Sequence, residues 1–241
     1  MKMLSWMTGI LVCAAVLLAA LGALGGAVDQ MAADETFYGG MSRAAVAEYL
    51  NTQEDAQVTA YIGMDEAAQG EFAAQMAAFM AGKTDAQPDV LSEKEQQHMS
   101  DVRALTQAAA KLSKLCMTFA AVLVVVAAWT GARLEKRTLP KMAGALSAVT
   151  IIMLIVQRVV SRIAGGGFED LFVQMHEMLF TNDLWLMNPE TDIIIRMMPQ
   201  PLFEQALANG ASQALRMLII VLVMLIAVHE MVGRMIRRHV K

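Results

Sequence analysis

The sequence predicts an all-α integral membrane protein with four transmembrane helices and two helical extracytoplasmic segments. Of its 241 residues, 56% are hydrophobic and 17% charged, a balance too apolar for an ordinary soluble domain. Four apolar runs are each long enough to cross a hydrocarbon core, which requires roughly 20 residues of helix. Most of the basic residues near these runs fall on one side, as expected for a multi-pass chain.

The predicted spans lie in segments 1–28, 115–132, 142–163 and 215–241, and the last segment ends in a basic tail. The first span also resembles a secretory signal, because Lys2 precedes an apolar run that ends in small residues. Its apolar core is longer than that of a usual signal, and three further spans follow. These features favour a retained membrane anchor.

The distribution of basic residues predicts the orientation of the spans. Lys2, the link at 133–141 and the tail are basic, and Lys and Arg near spans remain cytoplasmic. Alternate threading then places the long segments, 29–114 and 164–214, on the outer face. We therefore expect a multi-pass membrane protein with both termini in the cytoplasm.

The first outer segment has the composition of helices, being rich in Ala, Glu, Gln and Met. Apolar residues recur at helical spacing in 64–80, and 82–88 is a turn-rich break. Ser92 followed by Glu95 is a capping-box pattern. It predicts a helix that starts there and continues into the second span.

The second outer segment begins with an amphipathic helix at 168–180, a pattern typical of helices that lie along a membrane surface. The polar turn formers that follow surround Trp185, a residue suited to the headgroup layer. Asp192 is a predicted helix cap, and Pro199 and Pro201 are expected to break the chain again.

The sequence lacks the motifs that are typical of several function classes. Cys13 and Cys116 both lie inside apolar runs, which argues against a disulfide framework. No nucleotide-binding loop, internal repeat, HExxH or outer GxSxG motif occurs. The sequence gives no indication of nucleic-acid binding.

Two histidines, His98 and His176, lie in the outer segments and are the candidate catalytic residues. Asp101 would share a helix face with His98 and could orient its ring or raise its pKa. Phe172 and Phe180 flank His176 at helical spacing, so apolar surroundings should disfavour its charged form. Two histidines in different environments could serve as base and acid, although packed or solvated histidines give the same pattern.

The polar residues near His176 admit structural interpretations too. Asn182, Asp183, Asn188 and Asp192 could be turn residues. A mixed metal site of His98, His176, Asp101 and Asp183 would suit a metal-dependent hydrolase. A non-enzymatic scaffold, with outer helices that bind another chain, is a further alternative.

The stretches EKEQQHMSDVRAL at 93–105 and FVQMHEMLFTNDLWLMNPETDIIIRMMP at 172–199 resemble the bacterial lipoprotein intramolecular transacylases. The first is similar to that family's acidic, HM and DV helix, and the second to its FH, ND, W, NP, D and MP series. Four spans with both stretches outside also fit. Met175, where an aromatic is expected, and QPLFEQ after Pro199 depart from the pattern and affect the expected pocket shape.

The resemblance implies transfer of the sn-2 acyl chain of a diacylglyceryl cysteine onto that cysteine's own α-amino group, yielding a lyso-form lipoprotein. It implies a diacylated lipoprotein substrate, contact with membrane lipids, no cofactor and catalysis by His98 and His176. We expect His98, oriented by Asp101, to be the base and His176 the acid, with the reverse order left open. The supporting residues, chosen by residue type for donating to an oxyanion or shaping the site, are Asn182, Asp183, Trp185, Asn188 and Asp192.

Overall fold

The computed structural model describes residues 2–39, 63–132, 169–198 and 200–239, together with 151, 154, 155, 158 and 167. Helices account for most of this part of the chain, and it contains no strand. In chain order the helices are α1 (Lys2–Ala32), α2 (Glu35–Tyr38), α3 (Glu66–Met80), α4 (Glu93–Ala132), α5 (169–179), α6 (Ile193–Met197) and α7 (Gln200–His239). The predicted all-α class is confirmed.

Two helices in the described residues are long and apolar enough to cross a membrane, Met7–Ala32 and Glu93–Thr130. They contain the first and second predicted spans. The third span lies outside the described residues, apart from four helical positions between 151 and 158. The fourth falls mostly within α7, and the number of spans remains a prediction, while the basic link at 133–141 lies outside the described residues.

The chain divides into two compact units, one of which contains α1, the C-terminal part of α4 and most of α7. In this unit α1 and α4 pack closely at Gly22, where a Cβ atom would come within 2.7 Å of Met117 Cγ. The Ser113 hydroxyl donates to the Gly22 carbonyl at 2.5 Å. Cys13 and Cys116 are free thiols, in line with the absence of a predicted disulfide framework.

The other unit comprises Val28–Ala109 and Ile163–Asn209 and contains both histidine motifs. Its core forms because the apolar residues of α3 recur on one face and meet apolar residues from α4 and α6. The buried residues at its centre include Phe72, Met76, Phe79, Met99, Ile194 and Met197. Gly82, at φ +75°, ends the turn after α3 in a conformation that suits glycine.

The start of α4 is fixed by Glu95, which is only 1% exposed. Its Oε2 accepts hydrogen bonds from the Ser92 backbone N–H and hydroxyl at 2.9 and 2.8 Å, which confirms the predicted capping box. Its Oε1 accepts the backbone N–H groups of Ile193 and Ile194 at 2.6 and 2.8 Å. One carboxylate therefore caps α4 and α6, which are far apart in sequence.

Two local predictions are confirmed only in part, because Asp192 is at the N-cap of α6 and the chain does break between Met197 and Gln200. Asp192 occupies the N-cap position of α6, but its side chain makes no capping hydrogen bond because Glu95 takes the N–H groups of the first turn. Pro201 does not break the chain, since it lies in the first turn of α7. The missing N–H of proline costs little at that position because such N–H groups have no partner within the helix.

We predict that Glu95→Ala strongly destabilises the unit containing α3 and α6. The substitution leaves several backbone N–H groups without an acceptor, and each buried unpaired group costs about 1–3 kcal/mol. The apparent Tm of the purified protein, followed by tryptophan fluorescence, should fall by several degrees. Glu93→Ala, at an exposed position of the same turn, is the matched control and should leave Tm unchanged. Equal Tm values for the two variants would contradict the role given to Glu95.

Candidate active site

The structure brings His98 of α4 and His176 of α5 together although they lie far apart in sequence. Their ring centroids are 6.1 Å apart, and each residue is only 6% exposed. Phe180, which follows α5, packs against both rings at 5.1 and 5.5 Å. The two imidazoles therefore share one largely apolar pocket.

His176 is held by its own helix and by a ring cluster. Its Nδ1 lies 2.7 Å from the carbonyl oxygen of Phe172, one turn earlier. A carbonyl only accepts, so Nδ1 carries the proton and Nε2 of the neutral ring keeps the free lone pair. The rings of Phe172 and Trp185 pack at 4.0 and 5.1 Å. This packing fixes the orientation of the imidazole.

Burial disfavours the charged form of both histidines. It lowers the pKa of His98 to about 4, with the neighbouring His176 adding to the effect and Asp101 opposing it. Burial also lowers the pKa of His176, although its hydrogen bond to the Phe172 carbonyl works in the opposite direction. Both rings are therefore neutral at pH 7, in agreement with the environment that the sequence predicts for His176.

Asp101 meets one part of the expectation, because its charge raises the pKa of His98, but its hydrogen bond is made with another residue. Its Oδ2 accepts a hydrogen bond from Asn182 Nδ2 at 3.0 Å, and the hydrogen bonds described by the structure include none between Asp101 and His98. The Nδ1 atom of His98 is buried and has no hydrogen-bond partner among the described residues. Asp101 therefore ties the loop after α5 to α4 instead of orienting the His98 ring.

The remaining site residues predicted from the sequence form two groups: some contact the pocket, and the others lie in the turns around it. Trp185 packs on His176, and Asn182 is fixed by Asp101 and by accepting the Leu184 N–H. Asp183 and Asn188 are exposed, and Asn188 Oδ1 accepts the Glu190 N–H in a turn. The structure thus places Asn182 and Trp185 at the pocket, whereas Asp183 and Asn188 lie in turns.

Asp192 and Lys94 form the frame of the loop that carries Trp185. Burial would raise the pKa of the Asp192 carboxyl, but hydrogen bonds from the Asn188 N–H, Lys94 and Thr191 outweigh it and lower that pKa. Lys94 Nζ lies 3.2 Å from Asp192 Oδ2 and also donates to the Leu186 carbonyl. The sequence did not lead us to select Lys94 as a site residue. Its position one helical turn before His98 is the feature that could have identified it.

The alternative metal site is not assembled in the described part of the chain. No group of three or more His, Cys, Asp or Glu side chains converges there in an arrangement that could hold a metal ion. Asp101 is bonded to Asn182, and Asp183 is exposed in a turn. The four side chains of the hypothetical set therefore do not share a centre.

Two structures of Bacillus cereus proteins are similar to this chain. An in meso structure of the membrane integral lipoprotein intramolecular transacylase Lit has a TM-score of 0.63 at 18% identity, covering 96% of this chain and 98% of that chain. The same protein with a histidine-to-arginine mutation gives 0.65 at 16% identity, covering 97% and 95%. At this identity the likeness establishes the fold.

Sequence comparison supplies the family. No curated protein sequence matches the chain significantly. The family model described as lipoprotein intramolecular transacylase Lit matches residues 41–203, which include Glu95 and both histidines. The chain therefore belongs to the lipoprotein intramolecular transacylase (Lit) family.

Proposed function

We propose that this membrane protein moves the sn-2 acyl chain of a lipoprotein's diacylglyceryl cysteine onto the α-amino group of the same cysteine. The observation that carries the proposal is the His98–His176 pair, 6.1 Å apart in an apolar pocket within a chain of the Lit family. The substrate is a diacylated lipoprotein, and membrane lipids surround the protein. No cofactor takes part in the proposed reaction.

His176 is the base in this mechanism, the reverse of the order first expected. Its Nδ1–H is committed to the Phe172 carbonyl, so the neutral ring presents Nε2 as a proton acceptor. Its lowered pKa keeps this acceptor free at neutral pH. An α-amine, with a pKa of about 7.7–8.0, is partly neutral there and can attack the ester.

His98 acts as a neutral hydrogen-bond donor to the oxyanion that forms on the ester carbonyl. A pKa of about 4 makes its protonated form too scarce at pH 7 to serve as the main acid. A neutral imidazole N–H nevertheless stabilises an oxyanion well in a site that excludes water. The aromatic rings that surround the two histidines, Phe172, Phe180 and Trp185, provide that exclusion.

The proton that leaves the amine is returned to the same substrate molecule. The amine nitrogen attacks the acyl carbon, the resulting intermediate loses an N–H proton to His176, and His176 returns this proton to the glyceryl oxygen as the C–O bond breaks. An amide replaces an ester, so no energy source is required. Because both reacting groups belong to one molecule, orientation in the pocket can lower the barrier by up to about 7–11 kcal/mol.

We further propose that the pocket faces the outer leaflet and that both termini are cytoplasmic, because the basic residues divide in that way. The N-terminal part of α4, which contains His98, is rich in charged residues and lies before its apolar part. This pattern supports a site outside the hydrocarbon core.

We predict a difference between substitutions at the two histidines. His176→Ala and His98→Ala should each lower kcat by at least about 100-fold, the usual cost of losing a general base or an oxyanion donor. His98→Asn should regain part of the loss because an amide still donates, whereas His176→Asn should not. His229→Ala and His239→Ala, on the predicted cytoplasmic side, serve as controls with near-normal rates. An active His176→Ala protein, present in the membrane at normal level, would exclude the mechanism.

We predict a product that is an isomer of its substrate. Purified protein incubated with a diacylglyceryl lipopeptide, without phospholipid and with a chelator, should yield one N-linked and one O-linked acyl chain at unchanged mass. Fragmentation of the N-terminal cysteine by mass spectrometry locates the chains. A free fatty acid would indicate a hydrolase, and recovery of activity only with added zinc would favour the metal-dependent alternative.

We predict that a cysteine placed at Gln97, which is exposed on α4, reacts with an impermeant thiol reagent in intact cells. A cysteine at position 137, in the predicted cytoplasmic link, should react only after permeabilisation. Labelling at 137 but not at 97 in intact cells would reverse the proposed orientation.

A further inference from the structure

Helix α5 has three distinct faces, although an ordinary amphipathic helix has two. Phe172 and His176 face the ring cluster of the active site. A second face is polar and exposed, and its residues are Asp170, Gln174 and Glu177. The third face is apolar and consists of Leu171, Met175, Met178 and Leu179, spaced by three or four residues.

This third face is largely uncovered. Met178 is 79% exposed, and Met175 and Leu179 are 38% and 45% exposed, while Leu171 is half-buried. A helix that only had to pack against one core would carry polar residues at these positions. Contiguous exposed apolar surface of this kind marks a contact with a membrane or a partner.

We propose that the third face of α5 binds the lipid of the outer leaflet, so that the acyl ester reaches His176 sideways from the membrane. This inference rests on the proposed function only for the identity of the ester. The polar face then points to water, and the histidine face points into the protein.

Three observations favour lipid as the occupant. Residue 169, where α5 starts, follows the end of the third predicted span by six residues, a reach of about 22 Å at most, so α5 starts near the bilayer. Trp185, a residue suited to the headgroup layer, packs on the His176 ring. In the proposed function the substrate is itself a lipid, and Leu179 lies between the exposed face and the His176 side of the helix.

The charge of α5 restricts the kind of lipid contact. Residues 169–179 contain three acidic residues and neither Lys nor Arg. Binding therefore depends on apolar burial and not on attraction to anionic headgroups, unlike that of the Lys- and Arg-rich helices that usually lie on membrane surfaces. We expect the contact to persist in vesicles of neutral lipid and at high salt.

The test compares two labelled positions of α5 in the full-length protein with Cys13 and Cys116 replaced. Met178→Cys reports the third face, and Gln174→Cys, one turn away and exposed, reports the polar face. Each carries an environment-sensitive dye and is reconstituted in phosphatidylcholine vesicles with and without lipid-attached quencher. The dye at 178 should show blue-shifted emission and strong quenching, and the dye at 174 water-like emission and little quenching.

Equal emission and quenching at the two positions would overturn the inference. Shielding at 178 that appears only when lipopeptide is added would also overturn it, because the face would then bind the substrate's acyl chain instead of the leaflet. Loss of quenching in uncharged vesicles would contradict the apolar mode of binding. None of these readouts depends on activity, so failure of the transacylase proposal would be seen separately.

A second measurement tests whether the third face of α5 affects the rate of the reaction. Met178→Glu should lower kcat/KM by about tenfold for lipopeptide in vesicles, while a short-chain lipopeptide in solution is processed at the normal rate. Gln174→Glu is the matched control and should have no effect on either substrate. A loss of similar size on both substrates would show that position 178 acts through the fold and not through lipid.

Discussion

The carboxylate of Glu95 is the contact on which the rest of the pocket depends. It lies in the first turn of α4, three residues before His98, and its second oxygen holds the N-terminus of α6. Its neighbour Lys94 holds the loop that carries Trp185. One helical turn therefore fixes both the helix that carries His98 and the loop that packs on His176. A buried carboxylate that accepts four hydrogen bonds is favourable, whereas the same group without partners would be costly.

His98 and His176 differ in the hydrogen bonds that their rings make. The Phe172 carbonyl selects the tautomer of His176 and leaves one nitrogen free to accept. Nothing among the described residues bonds His98 Nδ1, and its deeper desolvation keeps the ring neutral. The pocket thus contains one ring suited to moving a proton and one suited to stabilising negative charge. The apolar wall strengthens both effects because it lowers the local dielectric.

Local patterns in the sequence predicted much of this arrangement. The helix from Ser92, the helix near His176 and the buried face of α3 all follow from spacing and capping rules that act over a few residues. The errors concern contacts between distant segments. Asp101 was assigned to His98, its neighbour on the helix, but it bonds Asn182, and Asp192 was assigned to its own helix but bonds Lys94. Spacing shows which side chains share a face, but it cannot show which distant group will compete for them.

The contact between Glu95 and α6 joins residues 98 and 99 positions apart, and two predicted membrane spans separate them. During synthesis, the hydrogen bonds of Glu95 to α6 can form only after both predicted spans and residues 193 and 194 have been synthesised. The pocket therefore cannot form before residues 193 and 194 have been synthesised. A substitution that misdirects the third span would abolish the site without altering any of its residues. Contacts of such sequence separation are also slow to form, because the loop between them must first be closed.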